Sequence, residues 1–201
     1  RDRFVFSEPR EDRPCLRPFL GGPRFFGNRE VQPCRIVWAG TWIDYDEARA
    51  RAEGNPLPPA RLFEPPRLVV CQNARRLRCA VDTEGYALKD TFLCGQPRRG
   101  GARSLRWLAL YLQSDLLHYL YEHLYGGTRK AGGHLHFLPR TLTGLPLPPM
   151  PVPRCTDTLY RRAAGGDTSA FTKIETLVRQ AFACTPAERR ALDAYAYPPR
   201  E

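Results

Sequence analysis

Three short arginine groups are the residues best able to do chemistry in this chain. Arg75-Arg76-Arg78 falls at a connection between two strand-like runs, Arg98-Arg99-Arg103 occupies a loop beside Gly100-Gly101, and Arg129-Lys130 sits in a loop flanked by glycines. A guanidinium carries a rigid fork of donors that pairs bidentately with phosphate oxygens or a guanine edge, which an ammonium cannot do. Loop tips held by a rigid scaffold are where binding residues concentrate. For any one arginine an ordinary solvated turn is an equally good reading. The three groups together favour contact with DNA. His134 and His136 alternate along a short strand-like segment, so they point the same way and could hold a metal. With no third ligand near them in sequence, a structural or DNA-facing role fits better.

Catalytic patterns are weaker. Asn55-Pro56-Leu57-Pro58-Pro59 has the wrong order, and no aromatic residue, for a motif that holds a flipped adenine. Phe19-Leu20-Gly21-Gly22 is glycine-rich, but it follows no clear strand and Pro23 breaks it at once. Asp82, Glu84 and Lys89 lie close together as a nuclease would require, yet Asp82-Thr83-Glu84-Gly85 reads better as a turn. No catalytic and no metal-ligating residue is therefore assigned. The seven cysteines, at 15, 34, 71, 79, 94, 155 and 184, are odd in number and none has CxxC spacing, against a disulfide framework or zinc knuckle. Cys71, Cys79 and Cys94 fall in strand-like runs and are expected to be buried. Trp38, Trp42, Tyr45 and Trp107 could stack on bases, but their spacing suits the core.

Bulk charge agrees with a polyanionic partner. The 201 residues hold 31 Lys and Arg against 21 Asp and Glu, a formal charge of +10, and lysine occurs only at 89, 130 and 173. Residues 67–140 carry 12 basic and 5 acidic side chains. Neutralising phosphates with such a surface releases counterions. No apolar run has the length of a membrane span and no signal-peptide pattern opens the chain, so a cytoplasmic protein without a membrane partner is expected. A first residue other than Met suggests a piece of a longer polypeptide.

These side chains need a platform. Residues 1–33 read as an irregular lead-in with turns at Gly21-Gly22-Pro23 and Gly27-Asn28. Two short strands follow between Arg35 and Tyr45, then a polar helix over 46–53, then Pro56, Pro58 and Pro59. Arg67–Gln72, Leu77–Asp82 and Tyr86–Cys94 read as three consecutive strands. Leu105, Leu108, Leu112, Leu116, Leu120 and Leu124 form one stripe, predicting a single helix from Ser104 to Tyr125 that stops at Gly126-Gly127. His134–Phe137 reads as a short strand and 142–153 as extended. Beyond Arg154, Phe171, Ile174, Val178 and Phe182 mark one helix, and Thr185-Pro186-Ala187-Glu188 opens another with a capping box. The expected fold is α+β: a mixed, mainly antiparallel sheet packed on one long helix, as a DNA target-recognition domain over 1–153, with a two-helix tail over 154–201.

The order of these segments resembles a known family. The extended pair around Trp38 and Trp42 leads to Pro66-Arg67-Leu68-Val69-Val70, Arg75 to Asp82, Glu84-Gly85-Tyr86 and Thr91-Phe92. Leu108-Ala109-Leu110-Tyr111-Leu112-Gln113-Ser114, Gly132 to Phe137 and Leu145-Pro146-Leu147-Pro148 come next. The whole is similar to the TaqI-like C-terminal specificity domain of adenine-N6 DNA methyltransferases, type IIG restriction–modification enzymes included. The family's helix usually ends in Asn-Ser, where this chain has Gln113-Ser114. The resemblance implies double-stranded DNA as partner, read by Arg75, Arg76, Arg78, Arg98, Arg99, Arg103, Arg129, Lys130, His134 and His136. It implies no cofactor in this chain, with S-adenosylmethionine held by an N-terminal methyltransferase domain of the same polypeptide. An RNA-binding or protein-interaction module with a basic surface is the alternative.

Overall fold

The computed structural model describes residues 5–9, 11–21, 29–98 and 101–200. The expected turns at Gly22-Pro23 and Gly27-Asn28 lie outside them. Five short strands come first: β1 (Val5–Phe6), β2 (Leu16–Leu20), β3 (Val31–Gln32), β4 (Arg35–Ile36) and β5 (Trp42–Asp44). Helix α1 (Glu47–Ala52) begins where the Asp46 carboxylate accepts from the Arg49 amide at 2.9 Å, satisfying a first-turn donor that the helix itself leaves unpaired. Then follow β6 (Arg67–Cys71), β7 (Asn73–Ala74), β8 (Cys79–Asp82), β9 (Ala87–Leu88) and β10 (Phe92–Gly95). The rest is α2 (Ala102–Leu112), α3 (Asp115–Tyr125), β11 (Leu135–His136), α4 (Pro139–Thr143), α5 (Thr156–Ala164), α6 (Ser169–Ala181) and α7 (Pro186–Ala194).

The fold is α+β with mainly antiparallel strands. One sheet runs β1-β5-β2-β9, with β2 and β9 parallel; a second runs β10-β6-β8; β3 pairs with β4 and β7 with β11. β6 is buried along its whole length, which is why its sequence is a continuous apolar run after Arg67. Its side chains alternate between two cores. Leu68 and Val70 join the large cluster around α2, while Val69 and Cys71 join Leu20, Val31 and Phe92 on the other face. Arg67 is fully buried at the strand's start, its guanidinium 2.7 and 2.9 Å from the Asp82 carboxylate.

Several elements differ from the sequence reading. The lead-in contributes β1, β2 and β3 rather than irregular chain. The run Tyr86–Cys94 is two strands, because Lys89 turns the chain away between β9 and β10. The predicted Ser104–Tyr125 helix is two helices. Ser114 leaves helical geometry at ψ 157°, and its hydroxyl caps α3 by accepting from the Leu117 amide at 3.2 Å. The break rotates the inward face, so α3 buries Leu117, His118 and Tyr121 beside Leu116 while Leu124 is exposed. Beyond Arg154 there are three helices, not two, since α5 precedes the pair marked by sequence. Their apolar faces belong to the same cluster as α2: Leu159, Ala163, Ala170, Ile174 and Val178 pack with Leu105, Ala109 and Leu110.

Candidate nucleic-acid interface

Pairing of β7 with β11 sets Ala74 opposite Leu135 and Asn73 opposite His136. Continuing that antiparallel register puts Arg75 across from His134. The glycine loop before β11 folds back on itself: the Lys130 amide donates to the His134 carbonyl at 2.7 Å, and Gly132 and Gly133 adopt φ of +79° and +76°, backbone that a side chain would strain. The fold therefore brings together Arg75, Arg129, Lys130, His134 and His136, residues about sixty positions apart in sequence. Arg75, Arg129 and Lys130 are exposed and the two histidines are half-buried. Burial first, and Lys130 second, hold His136 below the usual imidazole range, so it presents a neutral ring at pH 7. Arg129 is also in contact with the Glu122 carboxylate.

Two members of the first arginine group point the other way. Arg76 is buried, its guanidinium donating to the Asp115 carboxylate and lying 5.3 Å from the Tyr197 ring centre. Arg78 is buried beside the Cys71 thiol. Both are corrected from DNA-contacting to interior residues. Both lie with buried Leu77 in the connection between β7 and β8, where no alternation in the sequence separates them from exposed Arg75.

The remaining group lies at the far end of β6. Gly95, just before it, pairs with Leu68, whereas β7 and the Arg75 loop follow Cys71. At about 3.3 Å per residue, the β6 positions beside the two loops, Leu68 and Cys71, stand about 10 Å apart. Arg98 is exposed; Arg99 lies outside the described residues. Arg103 is exposed and donates to the Pro153 carbonyl at 3.0 Å.

The nuclease pattern is taken up structurally. One Asp82 oxygen accepts from the Glu84 and Gly85 amides at 2.8 and 2.9 Å, and the other accepts from Arg67 and the Tyr86 amide. Gly85 has φ +80°, and a Cβ there would meet the Phe63 carbonyl at 3.0 Å. Asp82 is thus the organiser of a turn. All seven cysteines are free thiols. Burial pushes Cys34 and Cys71 up to about 12, keeping them protonated and unreactive; Cys94, expected to be buried, is exposed at the end of β10. Among the described residues no three His, Cys, Asp or Glu side chains converge on a common metal position, and no helix is long and apolar enough to cross a membrane.

Comparison with known proteins adds no family: no family model matches the chain, and no curated protein matches it.

Proposed function

We propose that this chain is the sequence-recognition module of an adenine-N6 DNA methyltransferase or fused restriction–modification enzyme, binding double-stranded DNA and leaving catalysis to another part of the polypeptide. The observation that carries the reading is the joining of Arg75 and the Arg129-Lys130 loop by the β7–β11 pair, with a second basic loop at the opposite end of β6. Two exposed cationic loops about one strand length apart suit the two phosphate backbones that flank a ~12 Å major groove. The half-buried His134 and His136 beside Arg75 and Lys130 add hydrogen-bonding groups to the same surface. The ordered resemblance to the TaqI-like specificity domain supports the same partner. It also suggests a cytoplasmic setting and an S-adenosylmethionine-dependent methyltransferase domain preceding this one.

The test is binding of a fluorescent duplex by the whole chain at two salt concentrations, with structured RNA as competitor. The expected result is duplex binding in the ~1–100 μM range near physiological salt for an arbitrary sequence, weakening steeply as salt rises. Arg75→Glu combined with Lys130→Glu weakens it about tenfold and lowers the log–log salt slope by about 2. Salt-insensitive binding, or structured RNA displacing the duplex at equal concentration, overturns the reading.

A further inference from the structure

The joint between α2 and α5 gathers arginines that the sequence keeps apart. In the first turn of α2, Arg103 places Nε 3.9 Å from the Asp157 carboxylate. One turn on, Arg106 donates to that carboxylate at 2.9 Å across 51 residues of chain. On α5, Arg161 reaches back to the Asp157 carbonyl at 3.4 Å, and Arg154 is exposed three residues before Asp157. Among the described residues Asp157 is the one carboxylate pairing with this group. One carboxylate, paired with Arg103 and Arg106, among four arginines leaves the surface positive, and Asp157 is itself 42% exposed, so its attraction is screened by water.

The backbone adds to the same field. Gly101, at the start of α2, provides no side-chain cap, and the helix has no acidic residue in its first turn. The positive end of the helix dipole thus adds to the field of the arginines. Exposed Arg98 stands in the loop just before. The cations are spread along two helices rather than enclosed around a cavity, which suits an extended polyanion better than a small anion.

We propose that the α2–α5 joint is a further phosphate contact for duplex DNA beyond the two loops, in which Arg106, Arg154 and Arg161 act with Arg103, so that the C-terminal helices take part in binding. This rests on the DNA-recognition reading above. The experiment uses the whole chain and the same labelled duplex. Arg154→Gln combined with Arg161→Gln is expected to weaken binding about fivefold near 0.1 M salt and to lower the salt slope by about 2, with circular dichroism and urea midpoint unchanged. Arg189→Gln with Arg190→Gln, on α7 outside the joint, is expected to have less than a third of that effect. If the joint variant binds like the parent while Arg75→Glu/Lys130→Glu still weakens binding, the further contact is refuted and the DNA reading stands. Equal losses in the joint and α7 variants also refute it, by reducing it to net charge. No duplex binding by the parent chain removes both proposals together.

Discussion

His118 shows how far a residue's surroundings can override its type. It is buried on α3, with Nε2 3.2 Å from the Glu122 carboxylate and its ring 6.0 Å from that of Tyr197. Arg76, Arg129 and Arg200 surround it from three other segments, and Asp115 adds an opposing charge. Burial first, and Arg76 next, push its pKa from 6.5 down to about 4. Above pH 6.5 the ring is neutral in both states and adds no pH dependence. Below it the unfolded chain takes up a proton that the folded chain refuses until about pH 4. Stability is therefore lost as pH falls through that window, by roughly 3 kcal/mol at most. Urea unfolding at pH 7 and pH 5 should show a shallower decline in His118→Gln than in the parent; parallel declines would contradict it. The sequence placed His118 on a helix flank, because it shows neither Arg76 turning inward nor the C-terminal residues covering the ring. Residue type was legible at every arginine; direction was not. Arg75 and Arg76 are neighbours with opposite fates, set by the bend between β7 and β8 that no strand pattern in the sequence marks.

At the scale of elements, the pair Gln113-Ser114 is where the structure departs most from the leucine pattern. Leu105 to Leu124 keep helical spacing straight through it, so periodicity alone hides the break. The signal lay in Ser114-Asp115, a capping residue followed by an acid in the first turn of α3. Gln113 fixes the other side: its amide donates to the Ala109 and Cys79 carbonyls at 2.8 and 3.2 Å, tying the end of α2 to β8. Glu175, from α6, accepts from the Asp115 and Leu116 amides at 2.8 and 3.3 Å, a cap supplied by a distant helix that no local pattern reveals. Ser114→Ala should cost about 1 kcal/mol, read as a lower urea midpoint with unchanged slope. A change below ~0.3 kcal/mol would mean that Glu175 alone secures the helix start. α6 and α7 were legible because a long apolar stripe and a capping box announce them. α5 has nine residues, and Leu159, Tyr160 and Ala163 are the apolar members of its buried face.

Across the whole molecule, the sheet-and-helix unit and the C-terminal helices are one packing problem. Residues 1–153 alone would leave α2 with an apolar face and nothing to cover it, since Leu159, Ala163, Ile174 and Val178 fill that side of the cluster. The loss is polar as well. The Val81 amide on β8 would give up its 2.8 Å bond to the Tyr160 hydroxyl, and the α3 start its Glu175 cap. Each fully buried Leu, Ile or Val side chain contributes about 1.5–3 kcal/mol, so Leu159, Ile174 and Val178 together reach the 5–15 kcal/mol by which a domain of this size is stable. A chain ending at Pro153 is therefore expected to keep helical far-ultraviolet signal but to lose near-ultraviolet dichroism, bind a hydrophobic dye and show no cooperative urea transition. Such a collapsed state would also lose the fixed distance between the Arg75 loop and the Arg98 loop. Its duplex binding should then become weaker and lose any preference among sequences. A sharp transition in the 1–153 chain, with a urea slope scaled to its length, would show that β6 and α2 hold together unaided and that the C-terminal helices are an appendix to a finished core.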